Sequence, residues 1–390
     1  MPHWKNVLSK LASNADDHFD ELLSQYKRRS GRIRPIQVVP YRGFGNAEEV
    51  YLRGRVLEDR EIPQATDKDS VWRNLLSMYE RVHSREVSNV QVQLLLGGNT
   101  HIATTNAEGY FEFRLNITEP LSTTHAWHRA EVKLIEPFVA DSGGVSAEGH
   151  ILVPPPTSQF GVISDIDDTI LVSSVTNRIR MARLAFLNNA RTRLPFPGVA
   201  AFYRALESGP ETTLFNPVFY VSSSPWNFYD LLTDFCDVQN IPKGPLMLRD
   251  MGFDKDQFLV GDSVRHKTVQ IEHIMRICRD LPFVLIGDSG EQDPKIYLQV
   301  LNDYPNRVKV IYIREVFRKR HLERRRKQFA ELAAEAQRLN VPMLLVKDTV
   351  EAAEHAASIG LIDPDAIPGI RADKRTNEIA PTTLKQAEEE

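Results

Sequence analysis

"VISDIDDTIL", residues 162–171, crowds Asp165, Asp167 and Asp168 directly behind an apolar run. Ionised carboxylates repel one another and prefer water, so a strand ending in three of them needs a compensating charge or a reaction that uses them. Downstream the pattern repeats. "FGVISDID", "PVFYVSSS", "FLVGDS", "PFVLIGDS", "RVKVIYI" and "PMLLVKD" are near-continuous apolar strand candidates separated by helical stretches. Apolar strands alternating with helices indicate a parallel, doubly wound α/β sheet. Ligands of such sheets bind beyond the carboxyl ends of the strands. Here the first four runs end in Asp165/Asp167, Ser222–Ser224, Gly261–Ser263 and Gly287–Ser289, and several polar ends along one edge describe a site.

Working outward, "VPPPTSQ" (153–159) stops strand pairing and forms a stiff linker, because proline cannot donate to a ladder. It sets a domain boundary, with the α/β unit over 158–365. Before it, "IQVVPYRGFG", "EVYLRGRVLED", "NVQVQLLLGG", "THIATTNAEGYFEFRLN", "RAEVKLIEPFV" and "GHILVPPP" are short alternating stretches. Their spacing predicts an antiparallel β-sandwich over 31–157, with a turn at Asn106–Gly109 and a helical crossover over 70–84. Leu8, Leu11, Phe19, Leu22 and Leu23 predict a helix within 1–30. At the far end, Asp348 and Glu351 have capping-box spacing and Gly360 marks a helix end, while 366–390 lacks periodicity and reads as a tail.

Bulk properties exclude several classes. The 390 residues are 42% hydrophobic and 26% charged, normal for a chain that buries a core. A formal net charge of −4 gives no case for nucleic acid as a partner. Two cysteines, Cys236 and Cys278, form neither a disulfide framework nor a cysteine-rich zinc site. The N-terminus carries acidic residues where a signal peptide needs an apolar segment, and no run nears the roughly 20 apolar residues that span a bilayer. The expectation is a cytoplasmic protein whose membrane contact, if any, is peripheral.

"DIDDT" fits the D-x-D-x-T signature of haloacid-dehalogenase-like (HAD) phosphatases, "FYVSSS" their second motif, and a lysine followed by "GDSGEQD" the third and fourth. The finer set "DIDDT", "YVSSSPWN", "LRDMGF", "HK" and "LIGDSGEQDP" resembles the actin-patch type of phosphatidate phosphatase, a relative of the lipins. The resemblance covers about 158–360. It implies a HAD-like Rossmannoid fold, Mg²⁺ as cofactor, and hydrolysis of phosphatidate to diacylglycerol and phosphate through an aspartyl-phosphate.

Phosphoryl transfer needs a nucleophile, charge neutralisation at the phosphate oxygens and an acid for the leaving group. Asp165 is the expected nucleophile and Asp167, two residues on, the acid that protonates the alcohol and then activates water. Hard oxygen ligands suit Mg²⁺, and Asp165, the Asp167 carbonyl, Asp288 and Asp293 are its expected holders. Ser222 is expected to bond a phosphate oxygen and Lys267 to pair with both nucleophile and phosphate. Thr169, Ser223 and Arg249 complete the substrate side, with Thr169 ordering the loop. Asp168 reads as a cap or loop-orienting residue rather than a catalyst.

Two "GDS" stretches compete for the acidic motif. The second is preferred because Asp288 and Asp293 form a D-x4-D pair, which leaves Asp262 as a turn or cap residue. His266 reads as structural, and Arg249 is open between a phosphate contact and a salt bridge. "FRKRHLERRRKQF" (317–329) reads as a solvated helix face with Phe317, Leu322, Phe329 and Leu332 beneath, or as a patch attracted to an anionic bilayer. The segment 173–198 is the candidate cap over the site, short enough to leave it open to a membrane-held substrate. Two other functions stay open: the same chemistry on a soluble phosphomonoester, and a β-sandwich adaptor carrying an inactive phosphatase fold.

Overall fold

The computed structural model describes residues 36–387 apart from 59–85, 119, 123, 137–144, 171–194, 212–213, 251–259 and 317–321. The expected helices within 1–30 and 70–84 lie outside the described residues, as does most of the cap segment 173–198.

The first half of the chain builds one eight-stranded, mainly antiparallel sheet. Its strands are β1 (Ile36–Pro40), β2 (Gly43–Gly45), β3 (Glu49–Glu58), β4 (Gln91–Leu96), β5 (Asn99–Thr104), β6 (Tyr110–Asn116), β7 (Trp127–Glu136) and β8 (Ser146–Leu152). β3 carries β6 on one side and β1 and β2 on the other, while β8, β7, β4 and β5 run in order. The three-residue β2 joins these two leaves by pairing antiparallel with β3 and parallel with β8. Val50, Leu52, Phe111 and Phe113 of one leaf share a core with Val92, Leu94, Val132 and Ile151 of the other. The sandwich expected as two sheets is thus one sheet folded on itself, because β2 keeps the ladder continuous. The turn at 106–109 forms as expected: Gly109 adopts φ 75°, and the Asn106 carboxamide accepts from the Glu108 and Tyr110 N–H groups.

The second half is a six-stranded parallel sheet: β9 (Gly161–Ser164), β10 (Val218–Pro225), β11 (Leu246–Arg249), β12 (Phe283–Asp288), β13 (Val308–Arg314) and β14 (Met343–Val346). Its spatial order is β11-β10-β9-β12-β13-β14, so β9 and β12 are neighbours from which the chain winds outward in opposite directions. That reversal opens a crevice at their carboxyl ends. Successive β9 residues point to opposite faces. Val162 packs with α1 (Val199–Ser208), α2 (Tyr229–Val238) and α6 (Thr349–Ser358). Ile163 packs with α3 (Val260–Ile277), α4 (Asp293–Asp303) and α5 (Leu322–Arg338).

Two expectations are corrected. Residues 260–263 of "FLVGDS" do not end a strand: helix α3 begins at Val260, and the edge strand in that position is β11, "LMLR". A short apolar run fits a buried helix start as well as a strand, and here the helix wins because Lys267, Ile271 and Ile274 form its buried stripe. Nor is 366–390 a tail, since Ile367–Ala387 forms helix α7. Asp363 caps the 3₁₀ turn leading into it, and Ile370 is 1% exposed in the first core. Lys374 bonds the α6 cap residue Asp348 at 2.9 Å, although the helix lacks the repeated apolar stripe that would reveal it in sequence. The Asp348 cap and the left-handed Gly360 behind α6 agree with the sequence reading.

The linker 153–159 does not separate the halves. Tyr41 and Tyr110 of the antiparallel sheet enter the first α/β core, and Phe44, Tyr51 and Leu152 the second. Arg53 forks onto Asp250 just past β11, and Arg55 bonds the Asn227 carboxamide just past β10 at 2.8 Å. Two arginines of β3 therefore brace the loops beyond two of the parallel strands.

One half-buried acid gives a stability prediction. Burial pushes the Glu207 carboxyl on α1 from its ordinary 4.5 up to about 7, with Arg204 opposing. The folded state keeps the proton to higher pH than the unfolded chain does, so this stability is full below about 4.5 and lost as pH rises through 7. Glu207→Gln is expected to stabilise the protein by about 2–3 kcal/mol at pH 8, at roughly 1.4 kcal/mol per pKa unit, and by little at pH 4.5. Urea midpoints at the two pH values measure it.

Candidate active site

Asp165 follows the last residue of β9 and Asp288 ends β12, so the two carboxylates rise side by side at the crevice. The register is fixed by Ile286 pairing with Ser164 and by the Asp165 N–H donating to the Ile286 carbonyl at 2.9 Å. Asp293 opens α4 and reaches back, its Oδ2 accepting from the Asp288 N–H at 3.2 Å. Carboxylate oxygens of Asp165, Asp288 and Asp293 all lie within 4.8 Å of one another, and all three residues are buried.

Lys267 crosses from the buried stripe of α3 into this group. Its Nζ donates to Asp165 Oδ1 at 2.7 Å, Asp293 Oδ1 at 2.7 Å and Glu291 Oε2 at 2.9 Å. The ammonium has three donors, and all are used. Burial works against its charge, but Asp165, Asp293 and Glu291 together hold its pKa well above the ordinary lysine value. Burial pushes Asp165 well above the ordinary carboxylate range, Lys267 opposing and Asp293, Glu291 and Asp288 adding to the rise. Asp288 is raised to about 8, again by burial first and Asp293 next. One cation among so many acids leaves an uncompensated negative site.

The donor set fits a divalent cation. Asp165 Oδ2 and Asp288 Oδ2 are buried oxygens with no hydrogen-bond partner among the described residues, beside a third carboxylate on Asp293. Orphaned buried anionic oxygens are costly unless a cation meets them, and an all-oxygen set suits Mg²⁺.

Asp167 is directed elsewhere. Its Oδ2 accepts from Ser222 Oγ at 2.8 Å and Ser224 Oγ at 3.1 Å at the end of β10, and the residue stays partly exposed at the mouth. Burial and the neighbouring Glu291 charge raise its pKa, and the two serines hold it down. Ser222 Oγ, expected to point at a phosphate, is spent on Asp167 and also accepts from the Ser224 N–H at 2.9 Å. Ser223 is partly exposed beside it. Thr169 is buried, and its hydroxyl has no partner among the described residues, so its expected role in ordering the loop is not carried by a side-chain bond there. The loop instead turns at Asp168, whose φ of 57° lies in the left-handed region that aspartate tolerates better than most residues. That places Asp168 in a backbone role.

Arg249 ends β11 in register with Pro225, at the same edge but two strands from Asp165. His266 is pushed down to about 4 by burial and stays neutral, as expected of a structural histidine. The side chain of Asp262 lies outside the described residues. Glu291 and Ser224 are the site residues to which the sequence alone assigns no role.

Residues 160–315 match the family model described as "Phosphatidate phosphatase APP1, catalytic domain". Over this segment the chain is similar to the actin-patch phosphatidate phosphatase family. Phosphatidate phosphatase APP1 of Saccharomyces cerevisiae is 34% identical over 159 residues, which cover 40% of this chain and 26% of the yeast protein. The uncharacterized protein C29B5.04c of Schizosaccharomyces pombe is 27% identical over 223 residues, 54% of this chain and 34% of that one. The chain thus spans between a quarter and about a third of these curated relatives. Among solved structures, a Xanthomonas citri carbohydrate acetylesterase is similar at 10% identity over 76% of this chain and 72% of its own, with a TM-score of only 0.25 that bears on neither fold nor function.

Proposed function

We propose that the protein is a Mg²⁺-dependent phosphatidate phosphatase whose HAD-like domain, from about residue 158, acts through an aspartyl-phosphate. The observation that carries the reading is the buried group Asp165, Asp288 and Asp293 around Lys267, inside the segment that matches the family.

A carboxylate oxygen of Asp165 attacks phosphorus. As its P–O bond forms, the bond to the glyceryl oxygen breaks, and Asp167 gives that oxygen its proton to release diacylglycerol. The raised pKa of Asp167 suits an acid that is protonated before the reaction. Asp167, now a carboxylate, takes a proton from water as the water oxygen attacks phosphorus, and the P–O bond to Asp165 breaks to free phosphate. Ser222 and Ser224 orient Asp167 throughout. Lys267 holds Asp165 in line and neutralises phosphate charge. Thr169, Ser223 and Arg249 line the approach as substrate contacts. Asp165, the Asp167 carbonyl, Asp288 and Asp293 would hold Mg²⁺, which supplies positive charge to the phosphate oxygens when bound.

For a lipid substrate the protein must reach a membrane surface. Among the described residues no helix is long and apolar enough to cross a membrane. On α5, Phe329 and Ala336 are buried while Arg324, Arg325 and Lys327 face solvent, and this basic face is the proposed contact with an anionic bilayer from the cytoplasmic side. Residues 317–321 of the same basic stretch lie outside the described residues.

Phosphate release from phosphatidate in mixed micelles is expected to exceed that from a short water-soluble analogue by at least about tenfold in kcat/KM, worth about 1.4 kcal/mol. Equal rates would leave the soluble phosphomonoester as substrate. Absence of turnover on both, with Mg²⁺ present, would favour the adaptor reading.

A further inference from the structure

The serines that hold Asp167 sit in an irregular stretch of β10. The strand pairs with β9 through Tyr220, and with β11 through Val221 opposite Met247 and then Pro225 opposite Arg249. Ser222, Ser223 and Ser224 therefore stand against the single residue Leu248. Such a bulge re-aims side chains, and the regular ladder does not fix where they point. Here Ser222 Oγ and Ser224 Oγ both donate to Asp167 Oδ2, at 2.8 and 3.1 Å. Keeping that aim depends on what holds the two ends of the bulge.

One end is the ladder at Val221. The other is "PWN" (225–227), which docks on the antiparallel half of the chain. The Trp226 ring stacks on Tyr41 with centroids 5.0 Å apart, and the Arg53 guanidinium lies 4.8 Å over it. The Asn227 carboxamide oxygen accepts from Arg55 Nη1 at 2.8 Å and from the Tyr110 hydroxyl at 3.2 Å. Arg55 is 4% exposed, so water competes little for its bonds. Its Nε donates to the Glu108 carbonyl at 2.9 Å and its Nη2 to Glu86 Oε1 at 2.8 Å, and the planar guanidinium then fixes the direction of Nη1.

We infer that Arg55 and Tyr110 are positioning residues for the reaction: through Asn227 they fix the bulge whose serines orient Asp167. The antiparallel half is then part of the catalytic unit. This inference rests on the proposed phosphatase reading, in which Asp167 protonates the leaving alcohol.

Arg55→Met keeps an unbranched side chain and removes all three bonds. The Glu86 side chain is 44% exposed and Asn227 keeps Tyr110, so no buried charge is stranded. Steady-state kinetics of the full chain with Mg²⁺ compare a short-chain phosphatidate with p-nitrophenyl phosphate. The alkoxide of the first needs a proton to leave, whereas nitrophenolate leaves as a stable anion without one. kcat/KM extends only to the first irreversible step, departure of the leaving group, so water attack on the aspartyl-phosphate does not enter. Arg55→Met is expected to lose about tenfold more kcat/KM on phosphatidate than on p-nitrophenyl phosphate. A merely structural role lowers both alike. Equal losses on the two substrates, or none, with an active wild type, overturn the inference alone. A wild type that turns over neither substrate overturns the phosphatase reading along with it.

Hydrogen exchange supplies a readout that needs no aryl substrate. The Ser224 N–H, which donates to Ser222 Oγ at 2.9 Å, is expected to exchange about tenfold faster in Arg55→Met, while the amides of β9 and β12 keep their rates. Wild-type exchange at Ser224 overturns the inference. If Arg55→Met lacks a cooperative melt, Tyr110→Phe, which removes only the other donor to Asn227, carries the same comparisons. Its selective loss on phosphatidate is expected to be about threefold, and equal losses on both substrates again overturn the inference.

Discussion

Asp165→Asn is expected to reduce turnover of phosphatidate by at least about 10³-fold, because an amide cannot form the acyl-phosphate. Its melting midpoint without Mg²⁺ is expected to hold or rise. That midpoint separates a lost nucleophile from a broken fold. Asp165 is 1% exposed, and Asp293, Glu291 and Asp288 all press against its charge while Lys267 alone supports it. An asparagine removes one of the mutually repelling charges yet can still accept the 2.7 Å bond from Lys267 through its carbonyl oxygen. Destabilisation should therefore be absent, unlike the outcome for an isolated buried pair, where deleting one partner strands the other. Activity above about 1% of wild type at saturating substrate would remove Asp165 as nucleophile. Loss of activity with a collapsed melt would leave the assignment to a second variant, Asp165→Glu, which keeps the charge and misplaces it.

The parallel sheet is legible in the sequence wherever a strand is buried on both faces. "GVIS", "VFYV", "FVLIGD" and "VKVIYI" make up or begin β9, β10, β12 and β13, each an apolar run that stays nearly unbroken up to the site. The edge of the sheet is not legible in the same way. "LMLR" is four residues long and too short to stand out, while "FLVG" has the composition of a strand although it leads into α3. At that length periodicity cannot distinguish strand from helix. Helix α7 is hidden for a different reason. It docks through Ile370 and through ion pairs to Glu354 and Asp348, so it has partners but no apolar stripe.

The site divides the same way. Asp165, Asp288 and Asp293 are visible in sequence because strand topology and a D-x4-D spacing force them together. Lys267 is visible by its order among the motifs, and its helical register with Ile271 and Ile274 explains how it points inward. Glu291 is not, because its meaning lies in a bond to a residue 24 positions away across the crevice. The partner of Ser222 is likewise a matter of side-chain direction: its hydroxyl turns to Asp167, 55 positions earlier. Asp168, which looks equivalent to its neighbours in sequence, is set apart by a backbone angle.

Replacing the site's cation should have the largest effect on stability. Lys267→Met keeps the length and flexibility of the chain and removes the charge shared by Asp165, Asp293 and Glu291. Breaking a buried pair by deleting one member costs about 3–5 kcal/mol, and here three carboxylates lose their common partner. The cost must depend on pH. Without the lysine, burial and mutual repulsion raise the carboxylate pKa values further, so the folded variant binds protons that the unfolded chain has released. Stability is then lost as pH rises, and the deficit is larger at pH 8 than at pH 5. Urea unfolding should show a deficit of about 3–5 kcal/mol at pH 8 that shrinks at pH 5. A divalent cation that binds the folded site stabilises it by mass action and can supply the missing charge. Mg²⁺ should therefore shift the midpoint of Lys267→Met more than that of wild type, without restoring turnover. A variant as stable as wild type at pH 8 would mean that the acids are already protonated and carry no charge for Lys267 to balance. Equal Mg²⁺ shifts in both proteins would show that the ion binds somewhere other than among Asp165, Asp288 and Asp293.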